Sequence, residues 1–122
     1  MDKNKAAYKL KGLPPVYCIN LDGQPERWDY IVDQFKYWEV ENYERISAYD
    51  GRHDDLSDII KGKYPDGMTS GEIGCVTSHL KAIKHWLDTS DSQYAIMCED
   101  DMSLETVKYW PFTWSQLCAN IP

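Results

Sequence analysis

The amino-acid sequence predicts an α/β domain built on a parallel sheet. Three observations carry that reading. Short strand-like runs occur at residues 16–21, 45–49 and 94–98, and the first is almost continuously apolar, as suits a strand covered on both faces. Segments with helical apolar spacing separate the runs. Each run ends in a polar, turn-forming cluster that carries a carboxylate: Asp22-Gly23, Asp50-Gly51 and Glu99-Asp100-Asp101. Strands that alternate with helices imply crossover connections and a parallel sheet.

The elements follow in order. Residues 1–14 are polar and Lys-rich and are expected to form a tail, with the domain spanning 15–122. After the first strand, Pro25 suits the first position of a helix, and Trp28, Ile31, Val32, Phe35 and Trp38 give it one apolar stripe. The second strand stops at Asp50-Gly51. Residues 52–67 are polar, with one short turn expected near 56–60. Thr69-x-x-Glu72 fits a capping box, and Ile73, Val76, Leu80, Ile83 and Leu87 form the stripe expected to be buried on a long helix reaching about Asp88. The third strand follows a Thr-Ser-Asp-Ser loop. Thr113-x-x-Gln116 opens a short last helix. The chain stops where the alternation calls for a further strand, so the sheet is expected to be incomplete at its C-terminus and its edge open to self-association.

Composition narrows the function classes. The chain has 122 residues and a formal charge of −7, which argues against a protein that tracks nucleic-acid phosphates with a cationic face. Its 43% hydrophobic content argues against disorder and for one packed domain or part of one. No apolar run approaches the roughly 20 residues of a membrane span. The first residues lack a signal-peptide core, so a cytoplasmic location is expected. Cys18, Cys75, Cys98 and Cys118 show no Cys-x-x-Cys spacing and read as free thiols, two of them in strand runs.

Chemistry is expected where the strands end, because open α/β sheets bind ligands at the carboxyl ends of their strands. Gathering Glu99, Asp100 and Asp101 is costly unless a cation offsets their repulsion. Mg²⁺ or Mn²⁺ suits such oxygen ligands, and a solvated acidic turn is the plainer alternative. In an extended segment Glu99 and Asp101 would share a face, with Asp100 opposite. Asn20-Leu21-Asp22 ends the first strand, and Arg27 in the helix behind it can contact phosphate; ordinary turn chemistry is the alternative. Asp50 can accept hydrogen bonds from a ribose or base, or form an Asx turn. Gly71 and Gly74 cost about 1 kcal/mol each in a helix, which suggests a close approach by backbone or ligand. His79 lies at the edge of the apolar stripe, where a core-edge histidine is the default. His53-Asp54-Asp55 reads as solvated loop. The aromatic segment 109–114 suits core packing, a sugar-stacking platform or an interface. A receiver-like phosphotransfer module is disfavoured, since its acidic cluster would follow the first strand.

Taken in order, five segments resemble glycosyltransferase family 25, which includes lipooligosaccharide and collagen galactosyltransferases. They are Val16-Tyr17-Cys18-Ile19-Asn20-Leu21-Asp22, Pro25-Glu26-Arg27, Ile46-Ser47-Ala48-Tyr49-Asp50-Gly51, Gly71-Glu72-Ile73-Gly74-Cys75 to Ser78-His79, and Glu99-Asp100-Asp101. The resemblance covers residues 16–101. It implies a Rossmann-like, three-layer GT-A-type nucleotide-diphosphosugar transferase fold, a UDP-sugar donor (often UDP-galactose), a carbohydrate acceptor and a divalent metal, Mn²⁺ or Mg²⁺, on a DXD-like motif. Carried over by motif, Asp101 is the metal ligand, with Glu99 and Asp100 toward the ribose or the metal's water shell. Asn20, Leu21, Asp22 and Arg27 match the nucleotide-side opening motif, and Ala48 and Asp50 match the segment expected near uridine. Ser78 and His79 match the helix motif, His79 near the donor phosphates. Gly23-Gln24 departs from the basic or polar residues common there. The family's later acidic motif, base and acceptor pocket have no counterpart, so no catalytic residue is assigned. A catalytically incomplete nucleotide-sugar-binding or assembly module is the alternative.

Overall fold

The computed structural model describes residues 2–56, 59 and 67–121. Its centre is a three-stranded parallel sheet of order β2-β1-β3, with β1 at Val16–Asn20, β2 at Tyr43–Ser47 and β3 at Ile96–Glu99. Every residue of β1 is buried. Its side chains alternate between two cores. Val16 and Cys18 face α1 (Pro25–Tyr37), where Ile31, Phe35 and Trp38 pack. Tyr17 and Ile19 face α2 (Ser70–Thr89), where Ala82 and Trp86 meet Ile46. The sheet therefore lies between two helical layers, as expected for a Rossmann-like α/β unit.

The central strand sets the length of both neighbours. β2 is shifted two residues N-terminal to the expected 45–49, because Tyr43 pairs with Val16 and Ser47 with Asn20. Ala48 keeps one bond to the end of β1, its N–H to the Asn20 carbonyl at 3.0 Å, and the chain then turns from the sheet toward α2. The Tyr43 ring also packs 4.5 Å from Phe35, which holds the strand start in the core. β3 begins at Ile96 for the same reason, opposite Val16.

α1 begins at Pro25, as the sequence predicts, and ends in a Schellman turn. The Val40 N–H bonds to the Phe35 carbonyl at 2.8 Å and the Glu39 N–H to the Lys36 carbonyl at 3.2 Å. Glu39 takes the left-handed position at φ 56° that glycine usually fills. α2 opens on Thr69, whose hydroxyl accepts from the Glu72 N–H at 3.2 Å. α3 (Trp114–Ala119) opens on a capping box between Thr113 and Gln116.

Two expectations are corrected. The 1–14 segment is not a loose tail: Ala7–Leu10 form a 3₁₀ helix with Ala7 and Leu10 buried. Its Lys9 ammonium donates to the carbonyls of Lys108 at 2.9 Å and Trp110 at 2.8 Å, tying it to a second 3₁₀ helix, Glu105–Tyr109. Two apolar residues among lysines show no periodicity, so the sequence hides this docking. The second correction concerns α2. Its apolar stripe is not the face that packs: Val76 is 46%, Leu80 59% and Leu87 66% exposed. The buried face is the small, polar row Gly74, Thr77, Ser78 and Ala82. Small residues bring the helix axis close to the sheet, and periodicity alone does not say which stripe docks. The aromatic segment splits: Trp110 packs on the α1-side core and stacks on Phe112 at 5.1 Å, whereas Tyr109 is exposed. The turn expected near 56–60 falls partly outside the described residues, although the Ile59 N–H does bond to the Leu56 carbonyl at 3.0 Å.

Candidate active site

In the order β2-β1-β3 the helix after β1 (α1) and the helix before β3 (α2) cover opposite faces of the sheet, and a crevice opens at the carboxyl ends of the strands. A cleft of about 150 Å³ lies there. Ile19, Leu21 and Arg27 line it from β1 and α1. Ala48, Tyr49, Asp50, Gly51 and Arg52 line it from the segment after β2. Gly71, Cys75, Ser78 and His79 contribute from α2, and Glu99 and Asp100 from the end of β3. Eight of the residues expected in the site thus share one cleft: Leu21, Arg27, Ala48, Asp50, Ser78, His79, Glu99 and Asp100.

Below the cleft, polar side chains knot the strand ends together. Asn20 is 2% exposed. Its amide donates to an Asp100 carboxylate oxygen at 2.7 Å and to the Gln24 carbonyl at 3.0 Å. Its side-chain oxygen accepts from Arg45 Nε at 2.9 Å. The other Asp100 oxygen pairs with Arg27 at 2.7 Å. Each Asp100 oxygen and each end of the Asn20 amide therefore already has a partner within the protein, and Asn20 does not line the cleft. Asp22 also lies off it. Arg45 at 2.6 Å and Ser47 at 2.8 Å hold its carboxylate, and these hydrogen bonds, Arg45 first, keep its pKa below the usual carboxylate value. Ser78 acts as a clamp: its hydroxyl accepts from the Tyr49 N–H at 2.9 Å and donates to the Gly74 carbonyl at 2.6 Å.

The acidic triplet does not alternate as an extended segment would. β3 ends at Glu99, and the chain turns at once, with the Met102 N–H bonded to the Glu99 carbonyl at 3.2 Å. Glu99 and Asp100 line the cleft, whereas Asp101 is exposed and does not. The period-two rule lapses where the strand does. The three carboxylates do not converge as one ligand set. Among the described residues a different trio does: Cys75, His79 and Glu99, with ligand atoms all within 4.8 Å of one another. Desolvation, then the nearby Glu99 charge, pushes the Cys75 thiol up.

The glycines of α2 divide. A Cβ on Gly74 would lie 2.5 Å from the Gly51 nitrogen and 2.9 Å from the Tyr49 carbonyl oxygen, so the close approach there is by backbone. Gly71 meets only Thr69 Oγ1, at 3.9 Å, and opens onto the cleft. Arg52 is the lining residue for which the sequence gave least warning. Its signal is a cation placed directly after the Asp50-Gly51 turn, and its guanidinium stands 3.9 Å from Asp50.

The cleft residues fall within a stretch that matches a known family. A family model described as glycosyltransferase family 25 (LPS biosynthesis protein) matches residues 13–111. The chain belongs to glycosyltransferase family 25. Neither curated proteins nor solved structures gave a match. The family 25 match runs from just before β1 through the second 3₁₀ helix, so it contains all three strand ends and the whole cleft. Among the described residues no helix is long and apolar enough to cross a membrane.

Proposed function

We propose that this family 25 chain binds a UDP-sugar, UDP-galactose foremost, in the strand-end cleft of a GT-A-type domain and transfers the sugar to a carbohydrate hydroxyl in the cytoplasm. The observation that carries the proposal is the gathering of all five motif segments around one cleft, inside the matched stretch. Arg27 is half exposed, and Asp100 engages one of its terminal nitrogens, so other guanidinium donors can hold a diphosphate oxygen. Gly71 places the N-terminal turn of a 20-residue helix on the cleft, where the exposed N–H groups favour an anion. Asp50 accepts from ribose or uracil, Ala48 and Leu21 offer apolar contact, and His79 stands by the phosphates. The cleft is smaller than the roughly 300–1,000 Å³ usual for small-molecule sites, so it suits one part of the donor.

The residues at the end of β3 fit a hard divalent cation in their chemistry. Glu99 and Asp101 are exposed carboxylates, and Mg²⁺ or Mn²⁺ needs only one or two of these, with substrate phosphates filling the other positions. Asp101 lies outside the cleft but next in sequence to the cleft-lining Asp100, so it would hold the ion at the cleft's rim, with Glu99 toward the water shell. A bound cation would supply positive charge opposite the departing diphosphate. Asp100 is reassigned from ligand to anchor: it fixes Arg27 and Asn20.

Titrating UDP-galactose into the purified chain by calorimetry, with and without Mn²⁺, tests the proposal. Mn²⁺-dependent binding is expected, lost in Asp101→Asn and weakened about tenfold or more in Arg27→Ala. A folded wild-type chain that shows no binding in either condition refutes the donor assignment.

A further inference from the structure

We propose that Cys75, His79 and Glu99 form a binding site for a borderline-soft divalent ion of the zinc type. The ligand chemistry is distinct from the oxygen-only set suggested for Mn²⁺ or Mg²⁺. It offers one sulfur, one imidazole nitrogen and one carboxylate, the mixture that zinc takes and hard ions do not. Cys75 and His79 are four residues apart on α2, so they project from one face of the helix. Glu99 reaches them from the end of β3 across the cleft wall. One of its oxygens stands 3.7 Å from the Cys75 sulfur and the other 3.7 Å from His79 Nε2.

Two of the separations stand close to the need, and all three ligand atoms lie within 4.8 Å of one another. Ligands held tetrahedrally at roughly 2.0–2.3 Å from zinc lie about 3.5 Å from one another. The trio thus needs only side-chain adjustment to close on an ion. Three protein ligands leave the fourth position open, and the exposure of Cys75 and Glu99 turns that position toward solvent and the cleft. The alternative use of such a trio, an activated cysteine nucleophile, requires a stabilised thiolate. Here partial desolvation, then the adjacent Glu99 carboxylate, favours the thiol, so what the trio offers is the geometry of three ligands rather than an activated thiolate. The site shares His79 and Glu99 with the donor proposal, but its test uses no sugar nucleotide, so the two readings fail separately.

Cobalt(II) is the probe, because a thiolate ligand gives it a charge-transfer absorption that oxygen and nitrogen ligands do not. Titration of the purified chain without nucleotide should show that band and the visible bands of a tetrahedral ion, saturating at one equivalent and bleached by Zn²⁺. Cys75→Ser should lose the charge-transfer band. His79→Gln and Glu99→Gln should weaken binding by more than about 100-fold, beyond what loss of an outer partner costs. Cys118→Ser, which removes the other exposed thiol, should leave the spectrum unchanged. Absence of the band in the wild-type chain overturns the proposal. So does its survival in Cys75→Ser, its loss in Cys118→Ser, or unchanged affinity in His79→Gln with folding confirmed by circular dichroism.

Discussion

Gly74→Ala places a methyl group where α2 rests on the segment after β2. In the middle of a helix this change normally stabilises by about 1 kcal/mol. Here the new carbon would lie 2.5 Å from the Gly51 nitrogen and 2.9 Å from the Tyr49 oxygen, both backbone atoms. Relaxed carbon contacts sit at about 3.5 Å or more, so the helix and the segment must part by up to about 1 Å. Overpacking of that kind costs about 1–3 kcal/mol. Parting also stretches the 2.9 Å bond from the Tyr49 N–H to Ser78, worth about 1 kcal/mol. Set against the propensity gain, the net is a loss of about 1–3 kcal/mol. Gly71→Ala is the matched control, three residues earlier, with only Thr69 Oγ1 at 3.9 Å. It should gain about 0.5–1 kcal/mol. Urea unfolding followed by circular dichroism at 222 nm, a helix-sensitive wavelength, measures both. Two variants that shift stability in the same direction, or a Gly74→Ala chain at least as stable as wild type, would refute the packing of α2 on Tyr49–Gly51.

Asp100→Asn should cost about 1.5–3 kcal/mol in the same assay, because it removes the charge from hydrogen bonds with Arg27 and the buried Asn20; an unchanged midpoint would mean that the knot below the cleft bears no load. Glu39→Gly should raise stability by up to about 1 kcal/mol by relieving the left-handed backbone at the end of α1, and a destabilised variant would contradict the Schellman turn. Arg45 and Ser47 depress the folded pKa of Asp22, so its contribution is present above its ordinary value of 3.8 and is lost as the pH falls through the depressed folded value. Asp22→Asn should therefore flatten part of the acid limb of a stability–pH profile, and an identical limb in the variant would rule out that contribution.

Much of the frame was legible in local patterns. The apolar run through Val16 to Asn20 identified the buried central strand, Pro25 marked the start of α1, and Thr69 and Thr113 marked the starts of α2 and α3. These signals are short-range: a missing N–H, a hydroxyl that reaches an N–H within the next turn, or a run of residues that water disfavours. The strand-end motifs also announced the cleft, since a parallel sheet brings the carboxyl ends of its strands together whatever their spacing in sequence.

The roles within the cleft depended on partners far along the chain. Asn20 and Asp100 are 80 residues apart, and only their 2.7 Å contact turns two expected nucleotide contacts into a structural knot. Asp101 left the cleft because the chain turns after Glu99, and Glu99 met Cys75 and His79 because β3 pairs beside β1 under α2. The face of α2 that packs was likewise a tertiary matter. Its amphipathic period is a property of sequence, but close helix–sheet approach selected the small row over the large apolar one. Thus the sequence by itself determined the order of elements, the starts of the helices and the edge of the sheet where chemistry gathers, because these rest on local covalent and hydrogen-bonding constraints. Only the tertiary structure decided which polar groups are spent on one another and which still face the cleft, because that depends on distances no local pattern encodes.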